Sequence, residues 1–71
     1  MTDRDKLVAV FTLLQKHGKI TSFEERGNSI EIFDGPKYMF TAEGEIKSII
    51  RDGRAFGPDG ERPYVAPRGK K

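Results

Sequence analysis

The chain predicts an α+β domain: an N-terminal helix packed on a four-stranded antiparallel meander, followed by a flexible basic C-terminal tail. Three features carry that expectation. Leu7, Val10, Phe11 and Leu14 recur at helical spacing near the start. After Gly18 the pattern changes to short alternating runs separated by turn residues. Beyond residue 50 the breakers and the positive charge concentrate together, which divides the chain into a small α+β domain (1–52) and a Gly/Pro-rich basic tail (53–71).

The helix is expected from about Asp3 to His17. Thr2 followed by Asp5 has the form of a capping box, with Asp in place of the usual Glu. Asp3 and Asp5 in the first turn and Lys16 with His17 in the last suit the helix dipole. Gly18 stands where a left-handed residue ends a helix. Val8 and Leu13 flank the main stripe, so the apolar arc is wide for a surface helix. A helix wrapped deeply into a tiny domain is the favoured account, and a flank turned to a partner is the other.

The strands follow in order. Lys19 to Arg26 reads as the first, and Gly27-Asn28 suits a tight hairpin. Ser29 to Phe33 is the second, Lys37 to Thr41 the third and Glu45 to Arg51 the fourth, with turns at Asp34-Gly35-Pro36 and Glu43-Gly44. Connections this short require antiparallel pairing. Alternation places Ile30, Ile32, Tyr38, Phe40, Ile46 and Ile50 toward the helix. It places Phe33, Met39 and Ile49 on the opposite face, with Phe23 expected beside them. Large apolar side chains on a second face call for cover: the chain's own Phe56, Tyr64 or Val65, a second copy in a homodimer, or another protein.

Composition narrows the function. Leu, Ile, Val and Phe make up 17 of the 71 residues, enough to fold but only around a small core. There is no cysteine, so no disulfide, thiolate or Cys-based metal site is expected. No apolar run reaches the length of a membrane span, and MTDRDKL lacks a signal-peptide pattern. A cytoplasmic protein without membrane contact is the expectation. His17 is the only histidine and sits at a helix end. No serine has a base in pattern, and Glu24 and Glu25 point to opposite faces of a strand. The three Asp-Gly pairs are turn chemistry rather than calcium ligands. Neither the glycine spacing after residue 52 nor Gly57-Pro58-Asp59-Gly60 makes a phosphate loop or a nucleic-acid clamp. The chain is read as a non-enzyme with no cofactor and no metal.

Residues 1–50 carry seven basic and eight acidic groups, a net of −1, whereas residues 51–71 carry six and three, a net of +3. The tail also holds four glycines and three prolines. Its cations alternate with Phe56 and Tyr64, a pattern that serves single-strand nucleic-acid binding or docking on an acidic protein. The leading expectation is a protein-binding module, a regulator or inhibitor of a larger intracellular complex. It would use Phe33, Met39 and Ile49 together with Arg54, Phe56, Arg62, Tyr64 and Arg68. The alternative is a nucleic-acid-binding module acting through the tail. In type, a short, cysteine-free, single-helix α+β chain with a loose basic tail resembles the accessory proteins with which phages and mobile elements bind host machinery.

Overall fold

The computed structural model describes residues 1–64. Helix α1 runs Asp3–Lys16 and is followed by β1 (Phe23–Arg26), β2 (Ser29–Ile32), β3 (Lys37–Phe40), β4 (Ile46–Arg51) and β5 (Arg54–Phe56). The strands lie in the order β1-β2-β3-β4-β5, each antiparallel to its neighbour. The α+β class stands. No helix among the described residues is long and apolar enough to cross a membrane.

The helix ends form as their residues dictate. Thr2 Oγ1 accepts from the Asp5 N–H at 3.1 Å, and the Asp5 carboxylate accepts from the Thr2 N–H at 3.4 Å, completing the capping box. At the other end Gly18 takes φ +73°, and the Lys19 N–H closes on the Leu14 carbonyl at 2.8 Å. That turn ties down residues expected to open the first strand, so β1 starts at Phe23. Ile20 instead packs against the core.

The helix start is pinned to two hairpins. The Arg4 N–H donates to the Gly44 carbonyl at 2.9 Å, and the Ile46 N–H donates to Asp3 Oδ2 at 3.3 Å. Gly44 sits at φ +86°, and a Cβ there would lie 2.8 Å from the Thr2 Cβ. Only glycine fits both demands. The Arg4 guanidinium reaches the Gly27 carbonyl and lies 5.9 Å from the centroid of the Phe40 ring.

Phe11, Ile30, Ile32 and Phe40 form the core, with Leu7, Val8, Leu14, Phe23, Tyr38 and Ile46 packed around them. The Phe11 ring meets Phe23 and Tyr38 at 5.8 and 5.4 Å between centroids. The buried stripe is therefore Leu7, Val8, Phe11 and Leu14. Val10, expected within it, is 47% exposed, and Leu13 is 55% exposed. A rotation of the helix by about half a position, which brings Val8 inward in place of Val10, accounts for the exposure of Val10 and leaves Leu13 further from the core. Phe23 pairs with Ile32 and joins the helix side, contrary to its expected place.

Two corrections to the sheet matter for function. First, Asp52 and Gly53 both adopt positive φ, +52° and +74°. This is the geometry of a tight hairpin with a mirror-image turn. It returns the chain as β5, a fifth strand inside the segment expected to be tail. Second, the β3–β4 register shifts between Met39 and Phe40. Phe40 faces Ile46 and Met39 faces Ser48, leaving Lys47 as an extra residue on β4. A one-residue bulge exchanges the faces of everything after it. Ile49 therefore pairs with Tyr38 on the helix side and is buried, while Ile50 pairs with Lys37 on the other side.

The second sheet face is accordingly mixed. The pairing register puts Glu24, Arg26, Glu31, Lys37, Ser29, Ser48 and Ala55 there with Met39 and Ile50. Glu24 and Arg26 form an ion pair along β1 at 2.9 Å.

Candidate binding groove

Past β5 the chain makes a compact turn instead of leaving the sheet. The Gly57 N–H donates to the Arg62 carbonyl at 2.7 Å, and the Gly60 N–H donates to the Gly57 carbonyl at 2.9 Å. Asp59 Oδ1 accepts from the N–H groups of Glu61 at 3.0 Å and Arg62 at 3.3 Å. These two bonds, with a smaller contribution from the Arg62 charge, lower the Asp59 pKa below the ordinary aspartate value. Pro63 then bridges Phe56, and the Tyr64 N–H donates to the Ala55 carbonyl at 3.0 Å.

Between this turn and the end of the sheet lies an open groove of about 790 Å³. Asn28, Phe40, Thr41, Ala42 and Lys47 line it from the sheet, and Gly57, Pro58, Asp59, Arg62, Pro63 and Tyr64 line it from the turn. Tyr64, Pro58 and Pro63 supply apolar wall over the buried Phe40, and Lys47 and Arg62 supply charge. The Asp59 carboxylate is engaged by the turn's own N–H groups and stands 4.0 Å from the Arg62 guanidinium.

The residues expected to bind a partner are distributed unevenly around this feature. Phe56, Arg62 and Tyr64 come together at the turn: Arg62 and Tyr64 line the groove, and Phe56 is bridged by Pro63. Arg54 lies on β5, directly opposite Arg51. Phe33, Met39 and Ile49 do not form one patch. Phe33 is 65% exposed just beyond β2, and its N–H donates to the Ser22 carbonyl at 3.0 Å. Met39 lies half-buried between Ser29 and Ser48 on the mixed face. Ile49 is buried on the helix side, opposite Phe56, with its Cδ1 3.3 Å from where a Gly60 Cβ would be. Arg68 and Val65 lie outside the described residues.

Sequence reasoning passed over Lys47, which lines the groove, and counted Arg51 only among the tail's cations. The signal for Arg51 was present: Asp52-Gly53 between apolar runs is a strong short hairpin mark. It places Arg51 and Arg54 on either side of the turn. Among the described residues, no group of three or more His, Asp or Glu side chains is arranged to hold a metal ion. No family model, curated protein or solved structure matches the chain.

Proposed function

We propose that this chain is a non-catalytic protein-binding module that takes an extended, acidic segment of a larger protein in the groove beside the 57–62 turn. The observation that carries this reading is the groove itself. Its size falls in the range of small binding clefts, and its aromatic and proline walls suit an extended chain. Charge complementarity supports an acidic occupant, because Lys47 and Arg62 face a single carboxylate that the turn already uses. A module of this kind acts by covering its partner's surface, as a regulator or inhibitor does.

The test uses Ala42→Glu, which adds bulk and negative charge at an exposed position in the groove wall. Proteins captured by wild type and identified by mass spectrometry should be lost by Ala42→Glu and kept by Phe33→Ser, with nuclease making no difference. Adding the purified partner should shift the amide resonances of Thr41, Ala42 and Tyr64. Capture that survives Ala42→Glu sinks the groove reading. Capture abolished by nuclease replaces it with nucleic-acid binding.

A further inference from the structure

The hairpin joining β4 and β5 holds a second unexplained feature, linked to the groove through the Gly57–Arg62 turn, where Arg51 shares a surface hollow with Glu31, Asp34 and Asp52. Arg51 and Arg54 are direct cross-strand partners. Like charges in such a pair lie close and weaken the sheet. Among the described residues, neither arginine has a carboxylate within ion-pair distance, whereas Arg4, Arg26 and Arg62 each have one. Arg51 is nevertheless held in place. Its guanidinium carbon lies 4.3 Å from the centroid of the Phe56 ring. Its Nη1 is 3.6 Å from the point that a Gly60 Cβ would occupy. Gly60 itself is buried at φ +74°. The guanidinium is thus stacked on an aromatic ring and lies close over a backbone that has no side chain to displace it. Its N–H groups have no acceptor among the hydrogen bonds of the described residues.

We infer that Arg51 and Arg54 form an anion site for a side-chain carboxylate of the acidic segment bound in the neighbouring groove. The identity of the partner rests on the groove reading, but the site has its own measurement. A guanidinium matches a carboxylate through parallel N–H donors, and stacking on Phe56 removes part of the entropy lost in binding. The Gly57–Arg62 turn joins the two features, since Gly57, Asp59 and Arg62 line the groove while Gly60 lies against Arg51. A discrete carboxylate fits better than a phosphate backbone. From residue 47 to 64 four cations (Lys47, Arg51, Arg54, Arg62) are interleaved with three acids (Asp52, Asp59, Glu61). A nucleic acid needs a continuous cationic track.

The experiment titrates the full-length protein with an octaglutamate peptide and, separately, with the oligonucleotide dT8, following arginine Nε–H and backbone amide resonances. Octaglutamate should shift the Nε–H signals of Arg51 and Arg54, and Arg54→Gln should weaken its binding by about tenfold, the scale of one charged hydrogen-bonded contact. Arg54→Glu should abolish the arginine response while raising the melting temperature by a few degrees, because it turns a like-charged cross-strand pair into an opposite one. A gain in stability paired with a loss of binding is not what a merely structural pair would give. Silent arginine signals with moving groove amides overturn the anion site and leave the groove reading standing. Moving arginine signals with silent Thr41, Ala42 and Tyr64 amides retain the site and overturn the groove. Tighter binding of dT8 than of octaglutamate at equal ionic strength overturns the carboxylate assignment. A melting temperature unchanged or lowered by Arg54→Glu overturns the claim that the pair lacks a partner.

Discussion

The helix side of the sheet is covered in two ways, and the two covers differ in kind. Over β1, β2 and β3, helix α1 contributes side chains: Phe11 is 4% exposed and meets Ile30, Ile32 and Phe40. Over β4 and β5, the cover near Ile49 and Phe56 is the Gly57–Arg62 turn and the Arg51 guanidinium, with Gly60 presenting backbone to Ile49. The first region buries apolar side chain against apolar side chain, which is where most folding energy arises. The second buries little of its cover's own side-chain surface and holds its shape through hydrogen bonds of the turn. It therefore leaves polar and cationic groups at the surface, beside an open groove. The side-chain core and the hydrogen-bonded cover thus lie over different strands of one sheet.

That division is broken most directly at its strong end. Phe11→Ala should cost about 3–5 kcal/mol, the range for a buried aromatic. A domain of this size has only about 4–10 kcal/mol in total. Thermal melting and denaturant titration would show a variant unfolded or nearly so at room temperature. Coincident transitions for variant and wild type would remove the helix-side core as the source of stability.

The weaker region is sharpened by comparing neighbours. Ile49 lies opposite Tyr38 and Phe56, under Gly60, whereas Ile50 lies opposite Lys37 on the mixed face. Ile49→Ala should cost about 2–3 kcal/mol, the low end for a buried aliphatic because a glycine turn can settle into the space. Ile50→Ala should cost about 1 kcal/mol or less, as for a partly exposed position. Equilibrium denaturation of the pair reads the bulge directly. If Ile50→Ala were the more damaging, strict alternation through β4 would be right and the register shift wrong.

That same bulge marks where the sequence stopped being legible. The capping box, the glycine after the helix, the centres of β2, β3 and β4 and the antiparallel order of β1 to β4 were readable, because each depends on residues close in the chain. The helix rotation that exposes Val10 was not readable, since it is set by which side chains fit over Phe23 and Tyr38. The face of Ile49 was hidden for a related reason. A bulge adds one residue to one strand, and no local mark at Ile46-Lys47-Ser48 announces it. Of the residues that stood out as charge mixed with aromatics, Arg62 and Tyr64 line the groove and Phe56 lies beside them, bridged by Pro63. What joins them is the return of the chain at Asp52-Gly53. Reading the glycines and prolines as breakers hid the hydrogen-bonded turn that several of them build.

The smallest expected effect concerns that turn's own acid. Asp59 accepts from the Glu61 and Arg62 N–H groups, which hold its charged form and lower its pKa. Because the folded value lies below the unfolded one, ionised Asp59 stabilises the turn at all pH values above the ordinary aspartate range, about 3.9. That contribution fades as pH falls through the folded value. The side chain is exposed to solvent, so the consequence is local order rather than global stability. An acid titration followed by amide resonances should move Glu61 and Arg62 together, with a midpoint below that of an unstructured aspartate, while Ile30 and Phe40 in the core stay still. Asp59→Ala should shift the Glu61 and Arg62 amides at neutral pH and abolish their acid titration, leaving the melting temperature nearly unchanged. It should also loosen the groove wall formed by Pro58, Pro63 and Tyr64, so binding of an acidic peptide there should weaken. A variant that keeps its Glu61 and Arg62 shifts would mean the glycines shape the turn alone. The contrast between a side-chain cover and a hydrogen-bonded one would then rest on backbone geometry rather than on this carboxylate.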